Sequence, residues 1–111
     1  MADTNIIIQP SALAEELQTP PEPGLSQNYP NPFNATTRIE YSLTKASLVT
    51  LDIYDLAGRH IAQLVKGNQN AGRYSTTFRA YELASGVYIS RLVIITSKQN
   101  IVKTRKLLLL K

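Results

Sequence analysis

Residues 83–95 have the sequence LASGVYISRLVII, the longest run of β-branched and aromatic residues in the chain. Gly86 precedes the apolar part of the run, and the polar residues 96–100 follow it. Bulky apolar side chains occupy both alternating sets of positions: Val87, Ile89, Val93 and Ile95 in one, and Tyr88, Leu92 and Ile94 in the other. A strand that is apolar on both faces has neighbours over both, so the run predicts a central strand.

The segments around this run alternate between apolar and polar residues, as half-buried strands do. The alternation predicts strands over residues 37–43, 49–54 and 73–79, and a shorter strand over residues 60–65. The side chains predicted to point inward are Ile39, Tyr41, Leu43, Val49, Leu51, Ile53, Tyr74, Thr76 and Phe78.

Turn residues separate these segments. Residues 55–59 predict a tight hairpin turn in which Gly58 adopts a positive φ, and residues 66–72 predict a polar loop. The leucine-rich residues 100–111 favour a last strand, because a short turn separates them from a strand of similar length. About seven short strands with turns between them are typical of an all-β fold, the immunoglobulin-like antiparallel β-sandwich.

Composition limits the chain to one domain, because 111 residues supply a single hydrophobic core. The absence of cysteine excludes disulfides and metal–thiolate sites. No apolar run is long enough to span a bilayer, and no N-terminal signal is present. Residues 25–111 hold all twelve Lys and Arg residues. That charge is suited to phosphate, lipopolysaccharide or an acidic partner, although a solvated surface explains most of it.

The first 24 residues differ from the rest in charge and composition, because they contain four acidic residues and no basic one. Residues 6–8 indicate an appended strand or the remnant of an upstream domain, and residues 11–17 a helical turn or two. The Pro-rich residues 19–24 predict a stiff, extended linker. We therefore expect residues 1–24 to be a linker or remnant and residues 25–111 to be the folded domain. The same features suggest a fragment whose parent carries its signal peptide elsewhere.

The sequence offers little for catalysis or metal binding. His60 is the single histidine, and without cysteine the usual zinc ligand sets cannot form. Asp52 and Asp55 supply too few oxygen ligands for calcium, so we expect solvent-exposed acids at a strand edge. We predict no catalytic residue, no cofactor and no metal. Scattered basic residues without an aromatic platform argue against nucleic-acid binding.

Two further features predict structural roles. Residues 25–34 contain two X-Pro pairs, and we expect the loop to close one end of the sandwich as a lid rather than to bind a ligand. The residues predicted to pack in this lid are Tyr29, Pro30, Pro32 and Phe33. Gly86, just before the central strand, predicts a positive φ or a close backbone neighbour.

Five segments occur in an order that resembles a known family: residues 25–34, 37–43, 53–59, 83–88 and 103–111. Together they resemble the C-terminal sorting domain of cargo proteins of the type IX (Por) secretion system of Bacteroidetes and relatives. The resemblance covers residues 25–111, and its opening segment and Gly86-Val87-Tyr88 are specific when found together. Ala35 and Lys45 stand where the family commonly has proline, both at turn positions.

The resemblance implies a non-catalytic secretion signal at the end of a larger exported protein. Such domains fold in the periplasm and are recognised by the outer-membrane translocon. A sortase-like peptidase then removes many of them near their start, here in or near residues 18–25. The cargo reaches the cell surface or the medium, and anionic lipopolysaccharide is joined to the processed cargo alone. No membrane insertion and no nucleic-acid partner are implied. The alternatives are an accessory carbohydrate-binding or spacer module of a secreted glycoside hydrolase and, third, a small nucleic-acid binder.

Basic residues surround the four consecutive leucines of the last predicted strand: Lys103, Arg105, Lys106 and Lys111. Two leucines must lie on each face, so one pair can complete the core. The basic residues have two interpretations. They protect an edge strand from aggregation, or they form an edge that the translocon binds by charge or by strand addition.

Overall fold

The computed structural model describes residues 20–111, so the predictions for residues 6–8 and 11–17 lie outside the described part. The strands are β1 (Gly24–Leu25), β2 (Thr36–Leu43), β3 (Ser47–Asp55), β4 (His60–Gln69), β5 (Gly72–Arg79), β6 (Gly86–Ile95) and β7 (Asn100–Leu109). In the described range no helix has the length and apolar character to cross a membrane.

The strands form two sheets, one with the order β1-β2-β5 and one with the order β4-β3-β6-β7. Neighbouring strands are antiparallel throughout both sheets. The inward side chains of the two sheets share one buried cluster, so the sheets pack as a sandwich. This confirms the predicted all-β fold with seven strands.

The Tyr88 side chain anchors the start of β6. Its hydroxyl donates to the Ala84 carbonyl oxygen at 2.7 Å, and its ring is buried in the core. A tyrosine that bonds back to the backbone near the start of the penultimate strand is a hallmark of immunoglobulin-like sandwiches. Gly86 begins the strand with φ of 154°, in agreement with the predicted positive φ.

The core agrees with the predicted alternation in β2 and β3. The fully or almost fully buried side chains of these strands are Ile39, Tyr41, Leu43, Val49, Leu51 and Ile53. On β5, Phe78 is buried and Tyr74 is half-buried, with the Tyr74 ring stacked on Tyr41 at a centroid distance of 5.3 Å. The two sheets therefore meet on the residues that period-two alternation selects.

The prediction for β6 is right about its place in the sheet and wrong about its outer face. The strand lies between β3 and β7, and its alternate residues Leu92 and Ile94 are buried. On the other face Val93 is half-buried and Ile95 is exposed, and no described residue forms a layer over them. These side chains pack instead against cross-strand neighbours, as Val93 does opposite Val102.

The predicted polar loop over residues 66–72 is also wrong. Strand β4 continues to Gln69, and only Asn70 and Ala71 connect it to β5. The pairing of β4 with β3 extends to Ser47 opposite Gln69. Polar residues are compatible with this position because β4 is an edge strand whose outer side meets solvent.

The hairpin between β3 and β4 has the predicted geometry. Gly58 has φ of 87°, and its N–H donates to the Asp55 carbonyl oxygen at 3.0 Å. The Asp55 carboxylate accepts the backbone N–H groups of Ala57 at 3.0 Å and Arg59 at 2.9 Å. The hydrogen bond from the Arg59 backbone, helped by the Arg59 guanidinium, lowers the pKa of Asp55 below its usual range.

Candidate functional site

The loop between β1 and β2 is only partly the lid that the sequence predicts. Phe33 is buried, with its ring 6.0 Å from that of Phe78 between centroids. Tyr29 is 74% exposed, and Pro30 and Pro32 are exposed as well, so the prediction is wrong for these three. The backbone of Tyr29 exchanges two 2.9 Å hydrogen bonds with Arg38. The loop therefore follows the edge of β2, and the Tyr29 ring lies in solvent.

Asn28, which the sequence does not single out, organises this loop. The residue is 3% exposed, and its Nδ2 donates to Thr37 Oγ1 at 3.0 Å and to the Pro30 carbonyl oxygen at 3.1 Å. Gln27 Nε2 donates to Asn28 Oδ1 at 2.7 Å. A buried amide with its polar atoms paired fixes the path of the backbone around it. The signal in the sequence is an Asn beside X-Pro pairs, a common turn composition.

The same loop reaches across to the last strand. Phe33 N–H donates to the Leu108 carbonyl oxygen at 2.9 Å, and Leu110 N–H donates to the Phe33 carbonyl oxygen at 3.0 Å. Asn31 Oδ1 accepts the Leu108 N–H at 3.1 Å, and Gln27 Nε2 donates to the Lys106 carbonyl oxygen at 2.7 Å. The loop thus covers the outer edge of the chain from Lys106 to Leu110, through the backbone of Phe33 and the side chains of Gln27 and Asn31.

The four leucines divide between the two faces of β7. Leu107 and Leu109 are completely buried in the core, whereas Leu108 is half-buried and Leu110 is exposed. Leu108 lies opposite Val87 on the outer face of the four-stranded sheet. The last strand therefore completes the core with one pair, as its sequence requires, and places the other pair near the covering loop.

The four basic residues of this region have two kinds of environment. Arg105 Nε donates to the Leu25 carbonyl oxygen at 2.9 Å, and Lys111 Nζ donates to the Tyr81 carbonyl oxygen. Lys103 and Lys106 are exposed and form no ion pair or side-chain hydrogen bond within residues 20–111. Since neighbouring side chains of a strand alternate, Lys103 and Lys106 lie on opposite faces of β7.

The acids that the sequence offers as metal ligands have other roles. Asp52 is 7% exposed, so the prediction of a solvated acid is wrong for this residue. Its Oδ1 contacts His60 Nε2 at 2.8 Å and accepts Gln63 Nε2 at 3.1 Å. Asp55 is used by the hairpin turn. Among residues 20–111 no group of three potential metal ligands occurs.

Residues 27–109 match the family described as "Secretion system C-terminal sorting domain". The chain belongs to this family. The sorting domain is a non-catalytic signal module for the secretion of cargo proteins through the type IX system, and it interacts with that machinery to cross the outer membrane. The matched range begins at Gln27, where the loop contacts the last strand, and ends at Leu109, the last residue of β7.

The sorting domain is also similar to a solved structure, the crystal structure of dimeric latent PorU from Porphyromonas gingivalis. The TM-score is 0.62 and the sequence identity is 14%. The match covers 80% of this chain and 9% of that chain, so the sorting domain spans a small part of the PorU length. At this identity the similarity supports the fold alone. No curated protein matches the sequence.

Proposed function

We propose that the outer-membrane translocon recognises this sorting domain at β7, and that Lys103 and Lys106 make the charged contacts. The observation that supports this is their exposure on the last strand, without a partner among the described residues. Arg105 and Lys111 contribute differently, because their side chains already bond to the backbone of Leu25 and Tyr81. They hold the strand in place for recognition.

The test is the double variant Lys103→Gln/Lys106→Gln in the full chain, fused behind a signal peptide and a reporter in a host with a type IX system. The matched control is Lys45→Gln/Lys66→Gln, which removes the same charge from exposed positions away from β7. We expect the first reporter to stay in the periplasm and the second to reach the surface, with equal urea midpoints. Surface delivery of both reporters would contradict the assignment. Arg105→Gln is kept separate, because it also breaks the bond to Leu25.

After export, a sortase-like peptidase cuts the chain before β1 and the cargo remains at the cell surface or in the medium. The supporting observation is the local structure of the Pro-rich segment. Pro21 and Glu22 are exposed, whereas Pro20 is buried and Leu25 is buried and paired with Tyr41. A peptidase requires an extended, accessible substrate, so the cut falls N-terminal to Gly24. Mass spectrometry of the released domain should give a first residue between 18 and 24. A start after Leu25 would refute this position.

A further inference from the structure

We infer that β7 binds an added β-strand beside Val102 and Thr104, and that the strand comes from an extended, acidic segment of the partner. This inference rests on the proposed recognition at β7 and specifies how it occurs. The first evidence is the direction of the backbone groups. The backbone N–H or C=O groups of Lys106, Leu108 and Leu110 point toward the loop, because each of these residues is hydrogen-bonded to it. Backbone directions alternate along a strand, so the groups of Val102 and Thr104 point to the same edge.

Among residues 20–111, only the first half of this edge is left without a pairing partner. The covering loop bonds to β7 at Lys106 and beyond, and Arg105 bonds to Leu25. At Val102 and Thr104 no backbone hydrogen bond to a residue of the described range is formed on this edge. The open part therefore measures about 10–13 Å, or three to four residues of strand. It therefore fits a short paired segment of about three to four residues and excludes a long one.

The side chains around the open edge indicate the chemistry of that segment. Val102 is 50% exposed on the outer face, beside the half-buried Val93 and the exposed Ile95. Lys103 projects from the opposite face without an ion-pair partner in residues 20–111. An added strand that alternates an apolar and a carboxylate side chain would contact both. A second copy of β7 would instead bring lysines together, which disfavours homodimerisation through this edge.

Proline substitution separates strand addition from attraction by charge. Thr104→Pro removes an N–H that points away from β6, so the pairing of β6 with β7 stays intact. The matched control lies on β5. The backbone groups of Arg38 and Glu40 bond on the β1 side of β2, so β2 pairs with β5 through Tyr74 and Thr76. The backbone N–H of Ser75 therefore points to the outer edge of β5, which pairs with no strand of the described range. Ser75→Pro therefore makes the same change at an edge that we do not assign to the partner.

Both variants are measured in the full chain as reporter fusions in a type IX host, with the urea midpoint of each domain. For Thr104→Pro we expect about tenfold less reporter at the surface, from the loss of one backbone hydrogen bond and the clash of the ring with the added strand. For Ser75→Pro we expect surface delivery equal to the parent.

Three results would overturn the inference. In the first, Thr104→Pro is delivered as well as Ser75→Pro. If the Lys103→Gln/Lys106→Gln reporter nevertheless stays in the periplasm, the result supports recognition of β7 by charge and refutes only the addition of a strand. In the second, both proline variants lose delivery equally although both are folded. In the third, Thr104→Pro and a second variant, Val102→Pro, both unfold while Ser75→Pro folds. That result would mean that the backbone N–H groups of Val102 and Thr104 are already hydrogen-bonded within the chain.

Discussion

Truncation of Phe33 should destabilise the domain far more than truncation of Tyr29, although the two aromatic residues lie in one loop. Phe33 is 2% exposed and packs against Phe78. Removal of its ring forfeits about 2–3 kcal/mol of transfer free energy and leaves a cavity, so Phe33→Ala should cost about 3–5 kcal/mol. Tyr29→Ala removes a solvent-exposed ring and leaves the backbone bonds to Arg38 intact, so its effect should be within about 0.5 kcal/mol.

Urea denaturation followed by circular dichroism measures the free energy of unfolding of both variants. Equal m-values would show that unfolding exposes the same surface area in each. Phe33 also bonds to Leu108 and Leu110 through its backbone, which Phe33→Ala retains. In Phe33→Ala, the backbone N–H of Leu110 should therefore exchange faster only by the factor that the lower free energy of global unfolding accounts for. The reasoning fails if Phe33→Ala costs less than about 1 kcal/mol, or if Tyr29→Ala costs as much as Phe33→Ala.

Two other positions give independent tests. Gly86→Val should destabilise the domain by about 1–3 kcal/mol, because φ of 154° is strained for a β-branched residue. The added Cβ itself meets no other part of the fold within 4 Å, so the cost comes from the backbone. An unchanged urea midpoint would contradict this prediction. Asp55→Asn should lower the melting temperature at pH 7, and the difference from the parent should disappear with acidification. The lowered pKa of Asp55 makes the ionised carboxylate stabilising above its ordinary value of 3.8, and this contribution is lost as the pH falls through the lower folded-state pKa. A difference that persists unchanged to about pH 2 would exclude the carboxylate charge as its cause.

The sequence predicts those parts of the fold that depend on local patterns. Alternation in β2 and β3 identifies the core, and Gly58 identifies the hairpin, because each is determined by neighbouring residues. Residues 66–69 of β4 are wrongly predicted as a loop, because a polar edge strand has the composition of a loop. The sequence predicts a solvated acid at Asp52, and this prediction is wrong because the partners that bury the carboxylate, His60 and Gln63, come from the next strand.

The candidate site is predicted less well because its contacts are distant in sequence. The basic residues of β7 are visible in the sequence, but the difference between Lys103 and Arg105 is not. It arises from the bond between Arg105 and Leu25, two residues separated by 80 positions. The role of Asn28 likewise cannot be predicted from the sequence, because it depends on the hydrogen bond between its side chain and that of Thr37. Burial and pairing of polar groups decide both roles, and neither follows from composition or periodicity.

The sorting domain joins the two ends of its own sequence. Gln27 and Lys106 are 79 positions apart, and Asn31 and Leu108 are 77 apart, yet both pairs are hydrogen-bonded. Contacts of such separation carry a cost in loop-closure entropy, which the rest of the fold must offset. The same folded arrangement fixes both the half of this edge that the loop covers and the half beside Val102, which no described backbone group pairs with.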